Sequence, residues 1–496
     1  MQATLIHADD NVAVALEALK KDTSVTVGGR TITLPEDIRV GHKFAVKDLP
    51  LGNGVIKYGE VIGRLTAHVK KGQWVHLHNV KMMDMPVEYA YNFDNKTVLP
   101  GTSDMTFMGY ERKDGKAGIR NYIAIIPTVY CCNGPGAKLA AMLALKYPEN
   151  EHFDGFQILS HGSGCSQSGA DLAMTSRVLA NLSKNANFGG VLFLSLGCEI
   201  NDFNQMMPFI GEYDPARTRF LTLQDVENEY DAGMKLCDEL YAVVSKDRRK
   251  PLNISALDIG YNCGGSDGFS GITANRLVGM FTDRMTTLGG TTNLTEVPEM
   301  FGAEHILMNR AKDSAVFDKT VKMIQDFKAY FKKYGQDDAT GNSVPGNYEG
   351  GLSTQADKSL GCIQKGGRSM VMDVVPHGGR ITEKGFNIVA GPGADLPGIT
   401  GQVAAGSVLM LFTTGRGTPA GFVGPLFRIS SNNALYAKKP HWNDFNAGRL
   451  LSGEDPQALA DELFAKIMET CEGKYRTLNE INGFYQMGIF KDGVIG

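Results

Sequence analysis

Residues 256–285 read ALDIGYNCGGSDGFSGITANRLVGMFTDRM. An apolar run of buried-strand type, Ala256 to Tyr261, leads into a Gly-rich loop and then into apolar residues at helical spacing. Strands of the same type, each leading into a Gly-rich loop, recur at residues 121–126, 156–160 and 191–196, and nearer the C-terminus in FNIVAGPGAD and SVLMLFTTGRGTP. Strands that alternate with helices indicate parallel sheets with crossover connections. We therefore predict Rossmann-like parallel α/β domains, a central one over residues 109–250 and a C-terminal one over residues 251–496.

The first 85 residues follow a different pattern, with short strand-like runs such as SVTVGGRTITL separated by polar turns. Gly28-Gly29 and Lys71-Gly72 are turn sites. The apolar spacing of VAVALEAL predicts one helix, Val12 to Lys20. We expect a small β-rich domain over residues 1–85, followed by a linker over residues 86–108 that is polar, aromatic and aperiodic.

Composition excludes several classes of partner. The net charge of −4 gives no electrostatic footprint for nucleic acid or anionic lipid, and no apolar stretch approaches the length of a membrane span. The N-terminal residues carry acids where a signal peptide needs basic residues, so we expect a cytoplasmic protein with a small-molecule substrate. In this compartment the eight cysteines do not indicate a disulfide framework.

Four cysteines share one position in the pattern, because each lies just after a predicted strand in a Gly-rich loop: Cys131, Cys165, Cys198 and Cys263. We expect their thiols to meet at one edge of a sheet and to bind iron or zinc, or an iron–sulfur cluster as an alternative. The opposing hypothesis is that they are small residues in tight loops, of which one is catalytic. Cys237 and Cys471 lie on apolar helical stripes and are interpreted as buried core residues.

A second group of metal ligands lies in the β-rich domain. His76 and His78 are two residues apart, so on a strand they face the same side, and His42 lies in the same domain. Neutral imidazole suits iron, manganese or zinc, so these three histidines form a rival metal site.

Further loops offer groups for an anionic substrate. Arg416 follows a strand and is suited to a bidentate hold on a carboxylate. Other candidates for substrate binding in Gly-rich loops are Asn347, Ser266 and Asp267. Lys358 and Lys365 add hydrogen-bond donors for such a substrate. Three carboxylates are either metal ligands, acid/base groups or residues that favour a helix start: Glu296, Glu299 and Glu304.

Two motifs point elsewhere and are weak. GGSDG, residues 264–268, fits the GxSxG pattern and leaves a serine hydrolase using Ser266 as a distant alternative. The GxGxxG fingerprint is absent after every predicted strand, and there is no GxxxxGK[ST]. The sequence therefore supports neither a nicotinamide enzyme nor a P-loop ATPase.

Longer strings carry a family resemblance: IHADDNVAVAL, GHKFA, VHLHN, GIRNYIAIIPTVYCCNG, HGSGCSQ, SLGCEIND, CGGSDGFSGITAN, TEVPEMFGAE, DKSLGCIQK and FTTGRGTP. They resemble the altronate/galactarate dehydratase family, in unbroken order from His7 to the C-terminus. The resemblance implies an SAF-type β-clip head. Because the sequence has His76, His78 and Cys362, it resembles the altronate branch of the family more than the galactarate branch. It implies a hydro-lyase that converts D-altronate into 2-dehydro-3-deoxy-D-gluconate in hexuronate breakdown, with galactarate or another sugar acid as the alternative substrate. It also implies Fe(II) as cofactor, with Mn(II) as a substitute.

Such a reaction needs a base for the C2 proton and a Lewis acid for the developing negative charge or the departing C3 hydroxyl. Base candidates are His161, Glu199 and Lys365, with Arg416 as the clamp on the substrate carboxylate. We expect a homodimer, the commonest closed assembly.

Overall fold

The computed structural model describes residues 2–82, 88–336 and 343–493. The domain boundary predicted at residue 85 lies outside these ranges. Across the described ranges, no helix combines the length and apolar character that a bilayer crossing requires.

The head of the chain consists of short antiparallel strands, which confirms the predicted β-rich domain. Its strands are β1 (Ala3–Thr4), β2 (Val12–Ala15), β3 (Ser24–Val27), β4 (Arg30–Thr33), β5 (Lys43–Ala45), β6 (Gly54–Lys57), β7 (Glu60–Leu65), β8 (Trp74–Val75) and β9 (Val80–Lys81). They form the sheet β1-β2-β5-β8, the hairpin β3-β4 and the sheet β6-β7-β9. Gly28 and Gly29 form the β3–β4 turn with φ of 56° and 72°, a backbone region that glycine adopts at no steric cost.

The predicted helix from Val12 to Lys20 is wrong. Residues 12–15 form strand β2, which pairs with β1 on one side and β5 on the other. All four side chains of β2 are buried, so the strand shows a continuous apolar run instead of the alternation that marks a half-exposed strand. The β-branched Val12 and Val14 favour the extended form over the helix.

The central region contains a four-stranded parallel sheet in the order β13-β12-β14-β15. Its elements are β12 (Tyr122–Pro127), α1 (Asn133–Lys146), β13 (Phe156–Ile158), α2 (Gly169–Leu182), β14 (Phe188–Ser195), α3 (Phe203–Ile210), β15 (Thr218–Thr222) and α4 (Glu229–Val244). A small antiparallel sheet of β10 (Thr106–Glu111), β11 (Ala117–Gly118) and β16 (Lys250–Asn253) lies before and after it in sequence.

The C-terminal region contains a seven-stranded parallel sheet in the order β19-β20-β18-β17-β21-β22-β23. Its strands are β17 (Asp258–Cys263), β18 (Thr291–Leu294), β19 (Val371–Pro376), β20 (Gly385–Ala390), β21 (Leu409–Thr414), β22 (Leu426–Ser430) and β23 (Phe445–Asn446). Its helices are α5 (Ala274–Thr287), α6 (Glu304–Met308), α7 (Ser314–Lys333), α8 (Pro345–Glu349), α9 (Gln355–Cys362), α10 (Asp395–Ala405), α11 (Asn433–Lys438), α12 (Pro456–Cys471) and α13 (Leu478–Ile481). The predicted mixed α/β class and the parallel sheet of this region are confirmed.

A buried ion triad fixes the head to the C-terminal region. Asp357 of α9 accepts from Lys43 Nζ of β5 at 2.7 Å and from Lys57 Nζ of β6 at 2.8 Å, and none of the three side chains is more than 1% exposed. Burial alone would raise the pKa of Asp357, but the two ammonium groups outweigh it and hold that pKa far below its usual range. Burial also lowers the pKa of Lys43 to about 8.

We expect Asp357→Asn to destabilise the protein by roughly 3–5 kcal/mol, because it leaves two buried lysines without their counter-charge. Asp37→Asn is the matched control, since Asp37 pairs with Lys20 on the exposed surface, where an ion pair contributes little to stability. Chemical denaturation of both variants checks this. Equal destabilisation by the two substitutions would contradict it.

Candidate active site

The centre of the seven-stranded sheet positions the principal candidate site. Strands β17 and β18 are parallel neighbours, so the loops that follow them leave the same edge of the sheet. Cys263 is the last residue of β17, and Glu296 and Glu299 follow β18. Cys362, the last residue of α9, is in contact with the same loops. All four side chains are buried.

These four residues form a compact Cys/Glu group. Glu299 Oε2 lies 2.9 Å from Cys263 Sγ and 3.0 Å from Cys362 Sγ, and the two sulfurs are 3.7 Å apart. One ligand atom from each residue, including Glu296, lies within 4.8 Å of the other three. Within the described part of the chain this is the one set of three or more His, Cys, Asp and Glu side chains that meets this spacing.

Two buried lysines border the Cys/Glu group. Lys358 Nζ lies 2.8 Å from Glu299 Oε1, while Lys365 Nζ lies 2.9 Å from Cys362 Sγ and 3.7 Å from Glu296 Oε2. Burial opposes the charge on Lys365, but the surrounding thiols and carboxyls outweigh it and raise its pKa well above the usual value. Burial likewise opposes ionisation of Glu299, but the two ammonium groups lower its pKa.

Glu296 combines an uncommon backbone with an uncommon environment. Its φ of 68° and ψ of 57° are left-handed, a conformation that costs a non-glycine residue on the order of 1–3 kcal/mol. The backbone N–H of Cys263 donates to Oε2 at 3.0 Å, whereas the buried Oε1 has no hydrogen-bond partner within the described residues. Burial, followed by the nearby Cys263 and Glu299, raises the pKa of Glu296 well above its usual value.

The Cys/Glu group suits a divalent metal ion. Two thiolates and two carboxylates form a donor set that iron and zinc accept. Deprotonated, the four donors carry four negative charges, of which the two lysines offset two, and a divalent cation would offset the rest. The unpartnered Oε1 of Glu296 points to the same conclusion, because a buried carboxyl oxygen is ordinarily bonded.

One further carboxyl lies beside the group. Asp395 begins α10, and a Cβ placed on Gly264 would come within 2.7 Å of Asp395 Oδ2, so this carboxyl lies next to the loop that carries Cys263. Burial, with Glu299 as the second cause, raises the pKa of Asp395 to about 7. Unlike the four donors, Asp395 is only partly buried, so it can reach a molecule bound at the loop.

Comparison with known proteins assigns the chain to a family. The altronate/galactarate dehydratase SAF domain matches residues 1–83, the second domain of D-galactarate dehydratase/altronate hydrolase matches residues 109–245, and the D-galactarate/altronate dehydratase C-terminal domain matches residues 254–495. The chain is 43% identical to altronate dehydratase of Escherichia coli (strain K12) over the whole of both proteins. It belongs to the altronate/galactarate dehydratase family.

Two other members of the family are similar over nearly the full length. Altronate dehydratase of Bacillus subtilis (strain 168) is 41% identical over 99% of this chain and 98% of its own. Galactarate dehydratase (L-threo-forming) of Escherichia coli (strain K12) is 31% identical over 98% of this chain and 96% of its own. The resemblance inferred from the sequence is thereby confirmed.

The residues predicted to bind the substrate of this dehydratase lie around the loop after β17. Ser266 Oγ lies 3.6 Å from Cys263 Sγ, and the Asn347 amide donates to the Ser266 carbonyl at 2.8 Å. The Cβ of Arg416 would lie 3.3 Å from a Cβ on Gly265, and the half-exposed Arg416 guanidinium pairs with Glu349.

Asp267 has a structural environment, because its buried carboxylate accepts hydrogen bonds from Ser270, Ser431 and Asn432. The partner of the Ser266 hydroxyl, within the described residues, is a thiol and not a histidine. This geometry does not support a serine hydrolase.

The expectation that four thiols meet at one sheet edge is wrong. Cys131, Cys165 and Cys198 follow strands of the central four-stranded sheet, whereas Cys263 ends a strand of the separate seven-stranded sheet. Cys263 lies beside Cys362 instead. Sequence pattern alone did not reveal this, because it locates strand ends without saying which strands share a sheet.

His161 and Glu199 lie in loops of the central sheet and are fully hydrogen-bonded. His161 Nε2 donates to the Pro127 carbonyl at 2.7 Å, its Nδ1 accepts from the Ser163 N–H, and burial lowers the pKa of His161 to about 4. Glu199 accepts from two hydroxyls, those of Thr128 and Ser195, and from two backbone N–H groups. Both therefore brace loops, and the geometry does not favour either as the base.

The three histidines of the head surround Trp74. His42 Nδ1 accepts from the indole N–H at 3.1 Å and its Nε2 lies 3.1 Å from the Glu349 carbonyl, so both nitrogens are engaged. The ring of His76 stacks on Trp74 at 5.1 Å and that of His78 lies 4.9 Å from it. His76 and His78 lie in a turn after β8 and not on a strand, so the strand geometry behind the prediction does not apply, although both rings contact Trp74.

We expect Cys263→Ser and Cys362→Ser each to lose one bound Co(II) per chain, and to weaken binding at this site by more than about 100-fold, since each removes a thiolate ligand. Anaerobic titration followed by thiolate-to-metal absorption measures this without reference to turnover. Cys471→Ser, a buried cysteine on α12, is the control and should bind as the unsubstituted protein does. Unchanged binding by Cys263→Ser and Cys362→Ser would refute a metal site in the Cys/Glu group.

Proposed function

We propose that the chain is an altronate dehydratase, a hydro-lyase that removes water from D-altronate to give 2-dehydro-3-deoxy-D-gluconate in hexuronate breakdown. The observation that carries this is full-length identity of 43% and 41% to two altronate dehydratases, against 31% to the galactarate dehydratase. The buried Cys/Glu group supports the reaction class, because it places acidic donors and two lysines at the edge of the sheet where ligands bind.

The reaction makes two chemical demands. The C2 proton next to a carboxylate is very weakly acidic, and the C3 hydroxyl is a poor leaving group. We propose that Cys263, Glu296, Glu299 and Cys362 hold Fe(II), for which Mn(II) can substitute. When bound, this ion supplies the Lewis acidity that stabilises negative charge on substrate oxygen.

Asp395 is our candidate for the base at C2. Its carboxyl is partly accessible beside the Cys263 loop, and a pKa of about 7 lets it alternate between acid and base near neutral pH. Lys365, first considered as the base, has a raised pKa and keeps its proton, so we propose that its ammonium group positions Cys362 and Glu296.

Arg416 is our candidate for the substrate carboxylate. Its guanidinium is half-exposed and pairs with Glu349 through one contact, a partner that a substrate carboxylate can replace with a bidentate hold. Ser266 and Asn347 then fix the loop over which the substrate lies.

An anaerobic assay of the Fe(II)-loaded protein against a panel of aldonates and aldarates, followed as 2-keto acid formation, tests the function. We expect turnover of D-altronate well above that of galactarate, and loss of activity with a chelator that Fe(II) restores. Turnover of galactarate without altronate would refute the substrate and leave the reaction class standing.

We expect Asp395→Asn to lower kcat by roughly 10²- to 10⁴-fold with a small change in KM, since general-base catalysis contributes about that much. A base acts deprotonated, so the activity of the unsubstituted protein should fall as pH drops through about 7, and the variant should lack this limb. The control is Asp455→Asn, because Asp455 also stands at a helix start but lies on the surface and caps α12. The same loss in both variants would contradict the assignment.

We also propose that the enzyme acts as a cytoplasmic homodimer, and that its two parallel sheets belong to Rossmann-like domains bounded near residues 108 and 250. Light scattering on the purified protein tests the assembly. The net charge of −4 does not favour binding to nucleic acid, which is consistent with a small sugar acid as the partner.

A further inference from the structure

Three cysteines outside the Cys/Glu group share one edge of the central sheet. Cys131, Cys165 and Cys198 follow β12, β13 and β14, and these strands are direct neighbours with β12 in the middle. Paired strands lie about 4.8 Å apart, so the three loops leave the sheet side by side. We call these three side chains the three-thiol edge.

Hydrogen bonds hold the three loops together. The Tyr130 N–H donates to the Ser163 carbonyl at 3.0 Å, which joins the loop of Cys131 to that of Cys165. The Thr128 hydroxyl donates to Glu199 at 2.5 Å, which joins the loop of Cys131 to that of Cys198. The bracing roles of His161 and Glu199 thus serve to fix the cysteine-bearing loops.

The loop of Cys165 also approaches the backbone too closely for any side chain. Gly164 has φ of 96°, and a Cβ on it would lie 2.2 Å from the Thr128 carbonyl oxygen. Only glycine fits there without a backbone shift. The adjacent Cys165 is therefore held against the loop that carries Cys131.

The three thiols differ from the other cysteines in exposure. Cys131 and Cys198 are exposed and Cys165 is partly buried, whereas the remaining five cysteines are buried. None of the eight cysteines forms a disulfide, and this includes the three that lie on adjacent loops. Cys165 Sγ lies 3.8 Å from the Ser166 hydroxyl, and Gln224 Nε2 lies 3.7 Å from Cys198 Sγ, so polar groups border this edge.

The spacing of the three thiols bears on the class of metal centre that suits them. Thiolates select iron, zinc or iron–sulfur clusters. The three sulfurs are not all within 4.8 Å of one another, because within the described residues only the Cys/Glu group meets that spacing. At least one pair of these sulfurs is therefore more than 4.8 Å apart, farther than two ligands of one ion lie. An iron–sulfur cluster takes thiolates at a wider spacing than a single ion does, since its irons and sulfides lie between them.

We propose that Cys131, Cys165 and Cys198 bind a [4Fe–4S] cluster, at a site separate from the Cys/Glu group. Cys132 is not a fourth ligand, because its side chain is fully buried in the apolar core beneath α1. One iron of the cluster is thus left without a cysteine ligand and is open to an oxygen ligand from solvent or a small molecule.

Iron and acid-labile sulfide are measured on full-length protein reconstituted anaerobically with Fe(III), dithiothreitol and sulfide, and the paramagnetic signal is read after reduction with dithionite. We expect roughly four sulfides per chain and a brown protein, with the paramagnetic signal of a reduced cluster. Cys131→Ser, Cys165→Ser and Cys198→Ser should each lose most of the sulfide and the signal. An unsubstituted protein that retains iron or zinc but no sulfide would overturn the proposal.

Two variants serve as matched controls. Cys132→Ala alters the neighbouring but inward-facing thiol and should keep the sulfide, so its loss there would overturn the three-cysteine assignment. Cys263→Ser alters the Cys/Glu group and should keep the sulfide as well. Because the readout is sulfide and not turnover, failure of the cluster proposal leaves the dehydratase proposal untouched, and the reverse also holds.

Discussion

The burial of opposite charges at the edge of the seven-stranded sheet is the constraint on which the site depends. Water cannot solvate Glu296, Glu299 and the two cysteines there, so each negative charge that forms on them must be balanced by other groups in the fold. Lys358 and Lys365 supply part of that balance from α9 and the turn after it. The left-handed backbone of Glu296 is tolerated because two loops and a helix meet at this one point.

The head packs against the loops that border the candidate site. Its loop at Gly41 touches the body so closely that a Cβ on Gly268 or Gly351 would lie 2.2 Å from the Gly41 carbonyl oxygen. The next residue, His42, lies against the Glu349 carbonyl, and the Glu349 carboxylate holds Arg416. Head residues thereby support the wall that carries the candidate substrate clamp.

Sequence patterns predicted local features well and long-range ones poorly. Strand ends were found because apolar runs followed by glycine clusters are local signals. That Cys263 belongs with Cys362 was not found, since nothing local shows that α9 returns to β17. A signal for Cys362 was present: it lies three residues before Lys365, a spacing that places two side chains on the same side of a helical turn. Asp395 carried no comparable signal, because only its contact with the Gly264 loop distinguishes it from any helix-start carboxylate.

The ion triad has a consequence for the order in which the protein is made. Lys43 and Lys57 precede Asp357 by 314 and 300 residues, so the ribosome synthesises both cations long before their shared anion. At a translation rate of about 5–20 residues per second, the interval is roughly 15–60 s. During that time the nascent head cannot dock, and its two ammonium groups must remain hydrated. Docking of the head therefore waits for α9. A nascent chain that stalls before α9 exposes the two uncompensated lysines on the surface of its head.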